Sequence, residues 1–88
     1  MLVIKKSLTT EKFDINKIRT SLVNSSDEIE LPLNEGDIQV LLCQINRKLS
    51  ELRKDNDATS AYEIRGAVYD VLLENGFKDV AKSYMRFI

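Results

Sequence analysis

The chain has 88 residues, 43% hydrophobic and 31% charged, with a net charge of -1 at pH 7; that length and apolar content define one small globular domain burying roughly 60 to 65% of its unfolded surface, and exclude disorder. A pI near 5.4 argues against a general duplex-DNA binder, which carries a basic face over the whole domain. One cysteine, Cys43, and no histidine exclude an internal disulfide, a multi-cysteine zinc site and ordinary Ser-His or Cys-His catalysis.

The charge is uneven. Lys5, Lys6, Lys12, Lys17 and Arg19 face only Glu11 and Asp14 in the first nineteen residues, so this segment is near +3 while the remainder is near -4. Any anion site is therefore local to the N-terminal segment. No run approaches the roughly 18 apolar residues of a membrane span, and MLVIKK lacks the apolar core of a cleavable signal peptide. The cytosol is the expected location, with no membrane partner.

In chain order, Leu2-Val3-Ile4 and the loosely alternating Thr9-Thr10-Glu11-Lys12-Phe13, joined by Lys6-Ser7-Leu8, predict a β-hairpin over about 2–13. A hairpin alone is marginal, so its apolar face is expected to lie on the helices that follow. Asp14 is an N-cap for a helix over about 15–24, whose stripe is Ile15, Ile18, Leu22 and Val23. Asn24-Ser25-Ser26-Asp27 favours local side-chain to backbone bonds and is expected to end it. Pro32 pushes Leu31 out of helical geometry, so Leu31-Pro32-Leu33 reads as a connector.

Asn34 caps a second helix over about 35–53, where Ile38, Leu41, Leu42, Ile45, Leu49 and Leu52 fall on one face. Cys43 sits just off that stripe and is expected to be a buried or half-buried filler. Arg53-Lys54-Asp55-Asn56-Asp57 reads as a solvated loop. Ser60-Ala61-Tyr62-Glu63 is a capping box for a third helix over about 61–75, with Ile64, Ala67, Val68, Val71 and Leu72 facing the core. Gly76 is expected to take the left-handed conformation after Asn75, folding Phe77 back toward Leu72. A last helix over about 78–88 packs Val80, Ala81, Tyr84 and Phe87. The expected fold is α+β and mostly helical: a single domain, 1–88, with an N-terminal hairpin on a small four-helix bundle. A free-standing protein and a domain of a longer one both fit this pattern.

Three segments carry the candidate chemistry: the strand from Val3 to Lys6, the junction from Glu11 to Ile18, and the helix start from Thr59 to Ile64. Helix N-termini offer free N–H groups and partial positive charge to phosphates, and the lysines add point charges. Lysines on a hairpin also serve as solvated edge protection, and Phe13, Ile18 and Ile64 have an independent apolar role in the core. Lys5, Lys6, Glu11 and Lys17 lack a packing role.

VIKKSLTTEKFDINKI, TSAYEIRGAVYDVL and VAKSYMRF together resemble the ATP-cone, the nucleotide-binding domain at the N-terminus of many ribonucleotide reductases and in the transcriptional repressor of their genes. The family opens Val-x-Lys-Arg-x-Gly and then Glu-x-Phe-Asp-x-x-Lys-Ile; Val3, Lys5, Lys6, Glu11, Phe13, Asp14, Lys17 and Ile18 stand in that order and spacing. The resemblance implies a non-catalytic regulatory domain. Its ligand would be ATP or dATP, commonly with Mg²⁺, and its partner a ribonucleotide reductase subunit or other cone domains, with no direct nucleic-acid binding.

By the same resemblance, Lys5, Lys6 and Lys17 would hold phosphates. Glu11 and Asp14 would approach the sugar or base edge, and Val3, Phe13, Ile18 and Ile64 would line the adenine slot. Thr59 or Ser60 would offer a hydroxyl or the helix N-terminus. Two departures stand out. Lys6 replaces an arginine fork by a point charge, and Ser7-Leu8 replaces a glycine-containing turn, which implies a longer or differently shaped one. The alternative they raise is a degenerate cone acting as a protein–protein module without nucleotide.

Overall fold

The computed structural model describes residues 2–5, 7–52 and 58–86, in the order β1 (Leu2–Ile4), β2 (Thr10–Lys12), α1 (Ile15–Glu28), α2 (Glu35–Leu52), β3 (Ala58–Ser60), α3 (Ala61–Glu74) and α4 (Lys78–Arg86). The fold is α+β and mostly helical. β1 is the central strand of a three-stranded sheet ordered β2-β1-β3. It pairs antiparallel with β2, Val3 opposite Glu11, and parallel with β3, Val3 opposite Thr59. The expected hairpin is therefore completed by a third strand that the sequence reading did not anticipate. Alternation along β1 turns Val3 into the protein and leaves Leu2 and Ile4 exposed.

The hairpin closes without glycine. The Leu8 amide donates to the Lys5 carbonyl and the Lys5 amide to the Thr9 carbonyl, both at 2.9 Å, while Leu8 takes φ 65°. This is the three-residue connection whose last position is left-handed. A leucine there costs roughly 1 kcal/mol, a cost the sequence reading expected the turn to avoid by changing shape.

Asp14 caps α1, its carboxylate accepting from the Asn16 amide at 2.9 Å. The helix does not end at Asn24 as expected but runs on to Glu28. The hydroxyls of Ser25 and Ser26 donate to the carbonyls of Ser21 and Val23, at 2.7 and 3.0 Å. Buried serines bonded this way are satisfied inside the helix instead of competing with it. The helix stops where Glu30 turns left-handed, φ 57°, and the Leu31 amide reaches back to the Ser26 carbonyl at 3.0 Å.

In α2 the stripe Ile38, Leu41, Leu42, Ile45 and Leu49 is buried. Leu52 is 59% exposed, because the last turn of α2 overshoots the core. Cys43 is exposed and not the expected filler; it lies about 100° round the helix from Leu42, away from the stripe. Asn34 caps α2 by accepting from the Asp37 amide at 2.7 Å.

Ala67, Val68, Val71 and Leu72 of α3 and Val80, Ala81 and Tyr84 of α4 complete the core cluster, with Ile18 and Leu22 of α1. Gly76 takes φ 83° and the Phe77 amide donates to the Leu72 carbonyl at 2.8 Å, the turn its sequence predicted. The Ser83 hydroxyl donates to the Ser25 carbonyl at 2.8 Å, a buried bond joining α4 to α1. The loop expected at Arg53 to Asp57 and the packing expected of Phe87 lie outside the described residues.

Candidate functional site

Sheet and helices leave one cleft where the expected site residues gather, with a volume of about 180 Å³. Val3 of β1, Phe13, Ile18 of α1 and Ile64 of α3 supply its apolar walls. Three local rules supply them: the inward face of a strand for Val3, the residue before an N-cap for Phe13, and a core-stripe position on a helix for both Ile18 and Ile64.

Glu11, Asp14 and Lys17 also line the cleft. Glu11 faces Val3 across the hairpin, and its carboxylate lies 3.0 Å from the Lys5 ammonium and 3.2 Å from that of Lys17. The Lys5 hydrogen bond first, and then that of Lys17, hold the Glu11 carboxyl below its usual value. Both lysines remain largely solvent-exposed, at 49% and 64%. Two ammonium groups thus already converge on one anionic group, which is the charge arrangement a phosphate needs.

Of the residues singled out in the sequence, Val3, Glu11, Phe13, Asp14, Lys17, Ile18 and Ile64 line the cleft. Lys5 does not line it but joins it through Glu11. Thr59 and Ser60 stand apart: the Thr59 hydroxyl donates to the Glu63 carboxylate at 3.1 Å, and Ser60 caps α3 by accepting from the Glu63 amide at 3.1 Å. The capping box is therefore half formed as expected, with Glu63 turned to Thr59. Lys6 lies outside the described residues.

Sequence reasoning missed Lys12, Ser21, Ala61, Arg65 and Tyr84, which also line the cleft. A signal was present. Ile18 and Ser21 are three apart on α1, and Ala61, Ile64 and Arg65 are spaced at zero, three and four on α3, so each group shares a helix face. Arg65 places its guanidinium carbon 5.4 Å from the Tyr62 ring centroid, and its Nε is buried with no hydrogen-bond partner among the described residues. Burial raises the Tyr84 phenol above its usual value, and the positive charge of Arg65 offsets part of that rise.

The family model described as ATP cone domain matches residues 1–87. The chain belongs to the ATP-cone family. ATP-cone domains bind ATP or dATP as allosteric ligands, and the domain is regulatory and generally non-catalytic. No curated protein matches the chain significantly. Among the described residues of this ATP-cone no helix is long and apolar enough to cross a membrane, and no cluster of three or more carboxylate or thiol side chains is arranged to hold a metal ion.

Proposed function

We propose that this ATP-cone senses ATP or dATP in the cleft between sheet and helices and passes the bound state to a cytoplasmic ribonucleotide reductase, or to the machinery that regulates one. The observation that carries the reading is the pairing of a cleft lined by Val3, Phe13, Ile18 and Ile64 with two lysines already gathered round Glu11, another of its lining residues. In this reading adenine enters between Val3, Phe13, Ile18 and Ile64, and the phosphates take over the contacts that Lys5 and Lys17 make with Glu11. Lys6 would add a third charge.

A cleft of about 180 Å³ is smaller than the roughly 300–1,000 Å³ of sites that enclose a drug-sized ligand. In this reading the cleft therefore takes the base alone, and sugar and phosphates lie outside it, near the exposed lysines. Magnesium keeps several waters and needs only one or two carboxylates beside phosphate oxygens. In this reading the ion would arrive with the triphosphate, held by its phosphate oxygens and by water.

The test is a calorimetric titration of the purified chain with ATP and dATP in magnesium buffer, beside a Lys5→Ala, Lys17→Ala double variant. Saturable binding that the variant loses is the expected result; no binding at millimolar nucleotide overturns the reading. Turnover of ATP by the pure chain would overturn its non-catalytic part. The second reading, a protein–protein module without nucleotide, has in its favour the several exposed apolar side chains of the hairpin, Leu2 and Ile4 on the outward face of β1 and Leu8 at the turn. On that reading, charge reversal at Lys5 and Lys17 leaves partner association intact.

A further inference from the structure

We propose that Asn75-Gly76 is a deamidation site held closed by the fold, in which a clasp from Gln44 of α2 keeps the Asn75 side chain away from the Gly76 amide. Opening of that corner converts Asn75 to aspartate or isoaspartate. The inference goes beyond the nucleotide reading and does not depend on it.

The sequence supplies the reactive pair. Asparagine is among the chemically least durable residues, and a glycine after it, with no Cβ and free backbone rotation, leaves its amide the least hindered approach to the asparagine side chain. In the first step the Gly76 nitrogen forms a bond to Asn75 Cγ and the Cγ–Nδ2 bond breaks. The proton lost from the Gly76 amide leaves with the side-chain nitrogen as ammonia, and a cyclic succinimide remains. Water then opens the ring: at Cγ it gives aspartate, and at the main-chain carbonyl it gives isoaspartate. Nothing is oxidised or reduced, and both residues are exposed, so water reaches them.

The structure shows what withholds the reaction. Asn75 Nδ2 donates to Gln44 Oε1 at 2.7 Å and to the Val71 carbonyl at 2.8 Å. Val71 lies one turn earlier on α3, so this second bond draws the side-chain amide back along the helix, away from the residue that would attack it. The attacking group is engaged too: the Gly76 amide donates to the Leu73 carbonyl at 3.1 Å, with Gly76 held at φ 83°. Four residues beyond Gln44 on α2, Lys48 pairs with Glu74 at 2.6 Å, so α2 grips the end of α3 at two adjacent points.

Conversion would loosen that corner. Aspartate sets an acceptor against the Val71 carbonyl and adds a negative charge beside Glu74 at the C-terminal end of α3, where the helix dipole disfavours it. Isoaspartate lengthens the main chain by one carbon and moves the Gly76 and Phe77 amides off the Leu73 and Leu72 carbonyls.

The experiment incubates the purified chain at mildly alkaline pH, folded and in denaturing urea, beside Gln44→Met and Gln44→Glu, and follows each asparagine by mass spectrometry of digests. Asn75 is expected to convert in urea and at least about tenfold more slowly in the folded wild type, because three hydrogen bonds part first. Gln44→Met is expected to convert Asn75 about two- to tenfold faster than wild type, the effect of losing one hydrogen bond. Gln44→Glu keeps an acceptor for the Asn75 amide and is expected to hold the wild-type rate. Asn24, within α1, is the reference: it is expected to stay at its wild-type rate in Gln44→Met. Asn75→Asp is expected to melt below wild type. No conversion at Asn75 in urea, equal rates folded and unfolded, or Gln44→Met at the wild-type rate each overturn the inference. So does an acceleration that Asn24 shares equally, which would be general unfolding, and an unchanged melting temperature for Asn75→Asp overturns the loosening.

Discussion

Glu11 is the residue on which the charges of the cleft are organised. Its carboxylate holds Lys5 and Lys17 at 3.0 and 3.2 Å, in a place where two exposed ammonium groups would otherwise repel. Because those bonds lower its pKa in the folded chain, the folded state binds the proton less readily than the unfolded one. The stabilisation is thus fully present above the ordinary value of 4.5 and is lost as pH falls through the lowered value. Glu11→Gln is expected to leave the acid limb of the stability curve shallower than wild type. Urea midpoints taken from neutral pH down through the carboxylate range check this, and parallel acid limbs would show that the lysine contacts carry no stability. High salt is expected to shrink the difference, since the three groups are open to solvent.

At the scale of elements, two helices end in the same motif with different residues at its left-handed position. α3 uses Gly76 at φ 83°, and α1 uses Glu30 at φ 57°. A Cβ at Gly76 would meet nothing within 4 Å, so the cost of Gly76→Ala is one of backbone alone, about 1 kcal/mol. Glu30→Gly is expected to raise stability by a few tenths to about 1 kcal/mol, the relief of strain less the extra entropy of glycine in the unfolded chain. Urea unfolding with an unchanged slope reads both, and a neutral Gly76→Ala would mean the turn relaxes. The same contrast explains what the sequence made legible. Asn75-Gly76 and the α2 stripe were readable because a local rule and the tertiary structure agree. The end of α1 was not, because Ser25 and Ser26 favour a break locally and are held in helix by burial against α4, where Ser83 bonds to the Ser25 carbonyl. β3 was not, because three residues paired in parallel with a strand over fifty positions away leave no local pattern. In the cleft, the apolar wall and Glu11 were legible from motif order, whereas Ser21 and Arg65 carried only the weaker signal of sharing a helix face with Ile18 and Ile64, and Tyr84 joins it only through the packing of α4.

For the whole molecule, the cleft lies where the small sheet meets α1, α3 and α4, and none of its lining residues comes from α2. A ligand there touches both layers at once, so its binding free energy adds to folding stability: about 2.7 kcal/mol when the ligand stands at a hundred times its dissociation constant. In a chain of 88 residues each kcal/mol moves the melting temperature by roughly 4–8 °C. Saturating ATP is thus expected to raise it by about 10–20 °C. Lys17→Met is expected to abolish most of that rise while leaving the ligand-free melting temperature near wild type, because its ion pair with Glu11 is exposed. Hydrogen exchange locates the effect. Amides of β1, β2 and the first turns of α1 and α3 are expected to gain local protection with nucleotide, beyond the uniform gain from global stabilisation, while α2 shows the global gain only. Local protection gained chiefly along α2 would place the nucleotide elsewhere, since that helix has no atom at the cleft through which a ligand could act directly.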